Sequence, residues 1–324
     1  MSAKTPVPVL ITGGMPEYLI ERLQMSGYDF RHIENPTDAE LAWAEVIVGF
    51  PPIARLSKAT NLKWLQLPWS GADGYADHPD FPQNVILTNA TGAFGRPIAE
   101  YAFAAAFSLM RRFHQYRDCQ NEAQWLWQGD EMTPTGKHVL ILGAGDIGTN
   151  VAALFRPFAG RITGVRRVAR ACPDNFDAVV TLEQAQDILP QADIVICAMP
   201  DTPLTRGYLN RQRLALLKST AILVNVGRGS LIDHEALAEL LEEGKLYGAA
   251  LDVTDPEPLP PTHPLWKCRN AMITPHVSGR TFSGLKDKEE FFFRLCRENL
   301  QRYLRGETLK NRVDLSTGYR ETSG

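Results

Sequence analysis

The sequence predicts an α/β protein whose strands form parallel sheets. Short apolar runs alternate with helical segments along most of the 324 residues, the rhythm of parallel strands joined by crossover helices. This alternation runs through residues 7–89 and begins again at residue 138. Most runs in the second half are continuously apolar, as expected for strands that are covered on both faces. We therefore expect two sheets, each in its own domain.

The composition is that of an ordinary globular protein, with 44% hydrophobic and 22% charged residues. A net charge of −3 with scattered basic residues implies no general attraction to nucleic acid or membranes. The five cysteines show neither C-x-x-C nor zinc spacing, so we expect no metal site and a reducing compartment. Residues 1–10 lack the apolar core of a signal peptide, which predicts a cytoplasmic location.

The first half begins with a predicted strand at residues 7–11, which ends at Gly13 and Gly14. These two glycines predict a tight turn rather than a nucleotide loop, because a third glycine is missing. Further strands are predicted at residues 30–33, 46–49, 62–67 and 85–89. Between the last two of these strands, the small residues Ser70, Gly71 and Ala72 form a loop whose backbone N–H groups could hold a carboxylate. A plain turn explains them equally well.

A long helix is predicted to start at Arg96 and Pro97, because proline is favoured in the first helical turn. Residues 98–110 are apolar on most faces, so the helix should be buried on most faces. It either crosses between domains or pairs with a second subunit. Trp125 and Trp127 near its end suit an interface, although a core role is equally open.

The second half contains seven predicted strands, each followed by a polar loop or a helix. Asp233 is the expected N-cap of a helix over residues 234–243, and a last helix is expected over residues 286–305. The strands are predicted at residues 139–142, 162–165, 179–181, 194–198, 221–226, 248–253 and 271–274.

Gly143, Gly145 and Gly148 directly follow the first of these strands with the spacing G-x-G-x-x-G. The first glycine of such a loop makes a tight turn, the second lets the backbone approach a pyrophosphate, and the third lets helix and strand pack closely. The helix that opens at Asp146 and Ile147 would direct its N–H groups and positive dipole end at the anion. The spacing therefore predicts a dinucleotide site.

Arg166 and Arg167 follow the next strand, roughly twenty residues after the first glycine. An acidic residue there would bind the ribose hydroxyl groups, whereas arginine suits a 2′-phosphate through charge-assisted contacts. NADP(H) is therefore favoured and NAD(H) remains possible. A solvated pair of arginines on a loop is the alternative interpretation.

Polar residues follow three other strands that should end at the same sheet edge, where open parallel sheets bind ligands. Arg228 lies between Gly227 and Gly229, which would permit unusual backbone angles and the close approach of a ligand. Each of these side chains could be merely structural or solvated, but their shared edge favours a site. The residues are Arg228, Asp252, Glu257 and His276.

The motifs that carry these residues resemble those of the D-isomer-specific 2-hydroxyacid dehydrogenases, in particular their glyoxylate/hydroxypyruvate reductases. Besides the glycine loop, the similar segments are VNVGRGSLID at 224–233, ALDVTDPEP at 250–258 and HPLW…ITPHVSG within 263–279. The resemblance implies two Rossmann-like domains with the active site in the cleft. The flavodoxin-like outer, substrate domain would be 1–97 plus 285–324, and the NAD(P)-binding domain 98–284. It also implies a homodimer built through the cofactor domain and its long helix.

The resemblance also implies roles for individual residues. Arg228 would bind the carboxylate of a 2-oxo acid, and residues 70–72 would offer it N–H groups. His276 would be the general acid–base with Glu257 as its carboxylate partner, and Asp252 would help to hold the nicotinamide end. These residue types suit the chemistry, because negative charge develops on the carbonyl oxygen as hydride arrives and imidazole then supplies a proton.

Other proteins share this architecture. Formate dehydrogenases share the architecture, but they have glutamine at the position of Glu257, which argues against a substrate without a carbonyl group. A dinucleotide-sensing binding protein, as in the transcriptional corepressors that share this fold, would keep much of the site with little turnover.

Overall fold

We analysed a computed structural model of the chain, which describes residues 5–72, 74–76, 78–167, 172–280, 284, 286–318 and 321. Two compact units are present, Met1–Phe94 with Arg280–Gly324, and Gly95–Gly279. The predicted boundaries, 97/98 and 284/285, differ from these by three and five residues. That the first unit binds the substrate stays a proposal.

Strands and helices alternate along the described residues as the apolar pattern predicts. The strands are β1 (Val7–Ile11), β2 (Tyr28–His32), β3 (Val46–Val48), β4 (Trp64–Gln66), β5 (Ile86–Thr88), β6 (His138–Leu142), β7 (Arg161–Arg166), β8 (Ala178–Thr181), β9 (Ile194–Cys197), β10 (Ile222–Asn225), β11 (Gly248–Leu251) and β12 (Ala271–Ile273). The helices are α1 (Glu17–Leu23), α2 (Asp38–Trp43), α3 (Gly95–Met110), α4 (Phe113–Asn121), α5 (Asp146–Phe155), α6 (Arg211–Leu214), α7 (His234–Glu242) and α8 (Lys286–Arg305). Every predicted strand is present, with ends that differ by at most two residues.

The first unit has a five-stranded parallel sheet in the order β2-β1-β3-β4-β5. This is the flavodoxin-like order, so the predicted class of this unit is confirmed. Helix α8 buries Phe292, Leu295 and Leu300 in the unit, whereas Phe291 and Leu304 remain partly exposed. Gly13 and Gly14 both have positive φ angles after β1, as a tight turn requires.

The second unit has a seven-stranded parallel sheet in the order β12-β11-β10-β9-β6-β7-β8. Its first six strands have the order of a dinucleotide-binding sheet, extended by β12 at one edge. The direction of strand succession reverses between β6 and β9, which is where such sheets bind dinucleotides. All residues of β9, β10 and β11 are buried, as their continuous apolar runs predict.

Helix α3 packs on α5, β10 and β11 and buries Ala99, Ala102 and Ala106 among other residues. It ends at Met110, so Trp125 and Trp127 follow the separate helix α4 rather than α3. Trp125 and Trp127 are 102% and 74% exposed, which rules out a core role for both within this chain. Among the described residues, no helix combines the length and apolar character needed to cross a membrane.

The predicted N-cap of α7 is confirmed by a hydrogen bond in the second unit. The backbone N–H of Ala236 donates to Oδ1 of Asp233 over 3.0 Å, which satisfies one of the unpaired donors at the helix start. The helix therefore begins at the residue that its sequence indicates.

Candidate active site

The three glycines after β6 have distinct structural reasons to be glycine. Gly143 has a φ of +109°, and a Cβ there would lie 2.6 Å from the carbonyl oxygen of Ala198. A Cβ at Gly148 would lie 2.1 Å from the carbonyl oxygen of Gly143, so helix and strand pack too closely for a side chain. Gly145 is exposed, and a Cβ there would meet no atom within 4 Å. The open position is the one at which a pyrophosphate would approach the backbone.

Helix α5 begins at Asp146 directly after this loop, so the loop adjoins the N-terminal end of the helix, which favours anions. Asp146 also accepts a hydrogen bond from the side chain of Asn150 to its backbone oxygen, over 2.9 Å. Ile147 is half-buried on the same first turn, behind the loop. This geometry fits the phosphates of a dinucleotide, although contacts by Asp146 and Ile147 stay predictions.

Arg166 at the end of β7 bends back to the glycine loop. Its Nε donates to the carbonyl oxygen of Ala144 over 2.6 Å, which fixes the guanidinium beside the turn. Because Nε is used in this bond, a phosphate would be bound by the two terminal nitrogens of the guanidinium fork. Arg167 is exposed. The structure therefore places the Arg166 guanidinium beside the glycine loop, and its contact with a 2′-phosphate stays a prediction.

Arg228 lies in a tight loop after β10, and the two neighbouring glycines are explained by close packing. A Cβ at Gly227 would lie 2.6 Å from the carbonyl oxygen of Met199, and one at Gly229 would lie 2.0 Å from that of Thr254. Neither glycine has a positive φ angle, so the prediction of unusual backbone angles at these positions was wrong. The loop is wedged between the chain after β9 and the chain after β11.

Asn225 holds the Arg228 loop in place, a role that the sequence did not reveal. Its side-chain amide donates to the backbone oxygen of Arg228 over 2.9 Å and accepts from the N–H of Gly227 over 3.0 Å. Asn225 is fully buried at the end of an otherwise apolar strand, and that break in the apolar run was the available signal. Arg228 itself is half-buried, with Nη1 donating to the carbonyl oxygen of Gly227.

His276 and Glu257 form a direct pair in the second unit. Nδ1 of His276 lies 3.0 Å from Oε2 of Glu257, and the two side chains are 50% and 41% exposed. The other oxygen, Oε1, accepts from the backbone N–H of Thr254 over 3.1 Å. Because an ionised carboxylate only accepts, Nδ1 carries a proton in this contact and Nε2 is the ring nitrogen that faces away from Glu257.

Asp252 is only 1% exposed and binds the loop that carries His276. Its Oδ1 accepts from the hydroxyl of Thr274 over 2.7 Å and from the N–H of Val277 over 2.8 Å. Its Oδ2 accepts from the N–H of Ser278 over 2.9 Å. The observed contacts of Asp252 are thus internal, and the contact to the nicotinamide end stays a prediction.

The structure brings Arg228, Glu257 and His276 to neighbouring positions. They follow β10, β11 and β12, which are adjacent in the sheet and end at the same edge. Gly229 packs directly on Thr254, whose N–H binds Glu257, so the two loops touch. A fixed guanidinium, a carboxylate and an imidazole at one edge can bind an anion and transfer a proton.

The loop of Ser70, Gly71 and Ala72 follows β4 in the first unit. The side-chain amide of Asn89 donates to the backbone oxygen of Ser70 over 2.7 Å, which fixes the start of the loop. The hydroxyl of Ser70 is buried without a hydrogen-bond partner among the described residues. The N–H groups of residues 70–72 donate no hydrogen bond to another described residue. Unused donors in a fixed loop are what an anion-binding loop requires.

No group of three or more histidine, cysteine, aspartate or glutamate side chains suitable for a metal ion occurs in the part of the chain that the structure describes. The open position at Gly145 and the guanidinium of Arg166 suit a dinucleotide.

Comparison with known proteins identifies the family. The model for the NAD-binding domain of the D-isomer specific 2-hydroxyacid dehydrogenases matches residues 103–278, more than half of the 324 residues. The chain belongs to this family. The resemblance of its motifs is thereby confirmed, and this D-isomer specific 2-hydroxyacid dehydrogenase family member is an oxidoreductase with an NAD-binding domain.

Similar proteins cover nearly the whole chain. A family member from Aeromonas salmonicida has a structure with a TM-score of 0.84 and 31% identity, covering 96% of this chain and 99% of that one. A dehydrogenase from Xanthobacter autotrophicus Py2, in complex with NADPH and MES, has a TM-score of 0.82 and 26% identity, covering 97% and 100%. Glyoxylate/hydroxypyruvate reductase A from Photorhabdus laumondii is 29% identical, covering 87% of this chain and 88% of its own length. The α/β fold with two parallel sheets is therefore that of the family.

Proposed function

We propose that the protein reduces a 2-oxo acid to the D-2-hydroxy acid with NADPH, and catalyses the reverse reaction. The observation that carries the proposal is the contact of His276 with Glu257 beside the Arg228 loop, on three adjacent strands of the NAD-binding sheet. A sensor of dinucleotides would need the glycine loop but would not need an acid–base pair at this edge. No observation in the structure favours the sensor specifically.

In this reaction His276 is the proton donor. Glu257 binds Nδ1 over 3.0 Å and orients the ring, so Nε2 gives its proton to the carbonyl oxygen of the substrate. When bound, the nicotinamide cofactor supplies the hydride that reduces the carbonyl carbon.

Arg228 binds the carboxylate and polarises the carbonyl group of the substrate. Its backbone is fixed by Asn225 at both the Gly227 and the Arg228 peptide, and its Nη1 donates to the carbonyl oxygen of Gly227, so the guanidinium is held before the substrate arrives. A preorganised cation stabilises charge that develops on the carbonyl oxygen without the cost of reorienting it. The N–H groups of residues 70–72 and the hydroxyl of Ser70 are proposed to bind a substrate carboxylate.

Glyoxylate, hydroxypyruvate and larger 2-oxo acids are the proposed substrates. The glyoxylate/hydroxypyruvate reductase relative supports the two small acids. Leu67 is fully buried in the core of the first unit, so it is not available to line a pocket for the substrate side chain. Trp69 is half-buried, with its ring centroid 4.9 Å from that of Phe50.

A panel of 2-oxo acids tests the reaction. With purified protein we expect NADPH oxidation with at least one of glyoxylate, hydroxypyruvate and larger 2-oxo acids. The loss of absorbance of the reduced cofactor measures this oxidation. Chiral analysis of the product should give the D-isomer. No turnover across the panel, with dinucleotide still bound, would instead support the corepressor-like sensor.

We propose NADPH as the preferred cofactor, with NADH as the weaker one, and the position of Arg166 supports this choice. In Arg166→Asp the preference should move toward NADH by about tenfold or more, because a charge-assisted contact to a 2′-phosphate is lost. Dissociation constants for both cofactors, measured by fluorescence titration, give this ratio. Arg161→Asp is the matched control, since Arg161 is exposed at the opposite end of β7. If the ratio of the two dissociation constants is unchanged in Arg166→Asp, Arg166 does not determine the cofactor preference and is only a solvated arginine.

We also propose a homodimer formed through the NAD-binding unit. Phe113, Trp125, Leu126 and Trp127 are 56–102% exposed on α4 and the segment after it, an apolar content that suits a subunit interface. Helix α3 contributes Phe103 and Phe107, whose rings group with those of Phe155 and the partly exposed Phe158. Light scattering should give twice the 36.1 kDa mass of the chain.

A cytoplasmic location is proposed as well. All five cysteines are free thiols in the structure, and four of them are buried. Unpaired cysteines suit a reducing compartment.

A further inference from the structure

The backbone of His276 adopts a conformation that its surroundings must enforce. Its φ angle is +52°, in the left-handed region that residues other than glycine adopt at a cost. The N–H of His276 donates to the backbone oxygens of Asp252 and Thr274, over 2.9 and 3.0 Å. The next two N–H groups donate to the Asp252 carboxylate. The direction of the imidazole therefore depends on how firmly Asp252 is held.

Asp252 is held through a chain of hydroxyl groups that reaches α3. The hydroxyl of Thr274 bonds to Oδ1 of Asp252 over 2.7 Å and also bonds to the hydroxyl of Tyr101. An ionised carboxylate only accepts, so the single hydroxyl proton of Thr274 points at Asp252. The proton between Tyr101 and Thr274 must then come from Tyr101. The hydrogen bonds of these side chains therefore run in one direction, in which Tyr101 donates to Thr274 and Thr274 donates to Asp252.

Tyr101 is suited to be the permanent donor at the start of this chain. It is half-buried on α3, and burial raises the pKa of its hydroxyl; the hydrogen bond with Thr274 acts in the opposite direction and the charge of Asp252 in the same one, and the pKa is raised overall. The hydroxyl is therefore protonated at neutral pH. Because α3 packs on β10 and β11, it provides a rigid base for the chain.

We propose that Tyr101 is a positioning residue for His276, which acts through Thr274 and Asp252 on the left-handed turn that directs the imidazole. This role rests on the proposed function, in which His276 is the acid–base group. Tyr101 makes its side-chain hydrogen bond to Thr274 and not to the imidazole, and it belongs to a helix far away in the sequence from residues 252–278. Its effect is on the geometry of the turn, so it should influence proton transfer more than binding.

Removing the Tyr101 hydroxyl should loosen the turn before any ligand is bound. In Tyr101→Phe without ligands we expect amide exchange at residues 276–278 to become about tenfold faster, since one hydrogen bond of the chain is lost. Hydrogen exchange with mass spectrometry on a peptide covering these residues measures it. Tyr208→Phe is the matched control, because the Tyr208 hydroxyl donates to the backbone oxygen of Leu182 in the same unit. Exchange in the control should equal that of the wild type at these residues.

Kinetics then separate positioning from general stability. For Tyr101→Phe we expect kcat to fall about tenfold or more, because misplacing a catalytic group by a fraction of an ångström is costly. KM for the 2-oxo acid and the dissociation constant of NADPH should stay within about twofold. Thr274→Val removes the central hydroxyl and should lower kcat further than Tyr101→Phe does. Thr274→Ser keeps a hydroxyl and should retain most of the wild-type kcat.

The outcomes distinguish this inference from the proposed function. If the wild type turns over 2-oxo acids while Tyr101→Phe and Thr274→Val match Tyr208→Phe in both kcat and exchange, the positioning role is overturned. Equal losses in Thr274→Ser and Thr274→Val would also overturn it, because they would trace the effect to packing. A wild type without turnover contradicts the reductase instead, and the exchange experiment still measures the turn.

Discussion

Replacing His276 by alanine is expected to lower kcat by about 10²-fold or more, since general acid catalysis supplies a factor of this size. The imidazole is held by Glu257 at 3.0 Å with Nε2 directed away from it, and alanine leaves no group to protonate the carbonyl oxygen. Steady-state oxidation of NADPH with the best acid of the panel measures the loss. The dissociation constant of NADPH should stay close to that of the wild type, because the glycine loop is untouched.

His32→Ala is the matched control for this variant. His32 is exposed on the edge strand β2 of the other unit, so the same side-chain change there should leave kcat unaltered. Glu257→Gln should lower kcat less than His276→Ala does, because the imidazole is still present and keeps a hydrogen-bond partner. Some loss of kcat is expected, because the adjacent negative charge is removed. Near-normal turnover in His276→Ala would remove His276 from the role of acid–base.

Arg228→Ala is expected to lower kcat/KM by about 10²- to 10³-fold, the range found when one preorganised donor to a developing negative charge is removed. KM for the 2-oxo acid should rise as well, since the carboxylate loses its proposed partner. The kcat/KM of Arg228→Lys should lie between that of the wild type and that of the alanine variant, because lysine keeps the charge but not the planar fork of the guanidinium. Kinetics over a range of acid concentrations resolve kcat and KM.

Arg211→Ala provides the comparison for the arginine variants. The Arg211 guanidinium is exposed and donates to Glu239 over 2.9 Å on the surface of the same unit, so its removal should change neither constant. Added guanidinium ions should restore part of the activity of Arg228→Ala and none of that of His276→Ala. Failure of that rescue together with an unchanged KM would place the substrate carboxylate elsewhere.

The sheet edge that carries the candidate site could be predicted from the sequence. Strands in a parallel sheet end on one side, so the position of Arg228, Glu257 and His276 directly after apolar runs was enough to group them. Glycine spacing likewise predicted the tight turn at Gly143 and the close packing at Gly148. Both predictions depend only on residues that are close together in the sequence.

Contacts between distant segments could not be predicted in the same way. Gly229 is a glycine because Thr254 packs against it, and nothing near residue 229 in the sequence reveals this neighbour. The left-handed turn at His276 depends on Asp252, and the exposure of Trp125 depends on how the chain leaves α4. These features result from tertiary packing, which overrides the local preferences of the residues concerned.

The strand order of the NAD-binding sheet divides its edge into two regions with separate proposed tasks. The glycine loop and Arg166 follow β6 and β7, whereas Arg228, Glu257 and His276 follow β10, β11 and β12, with β9 between the two groups. We therefore expect changes at the end of β7 to alter the choice of cofactor without altering the proposed proton-transfer residues. For protein engineering this makes cofactor specificity and reaction chemistry two modules, each open to mutagenesis while the other is kept intact.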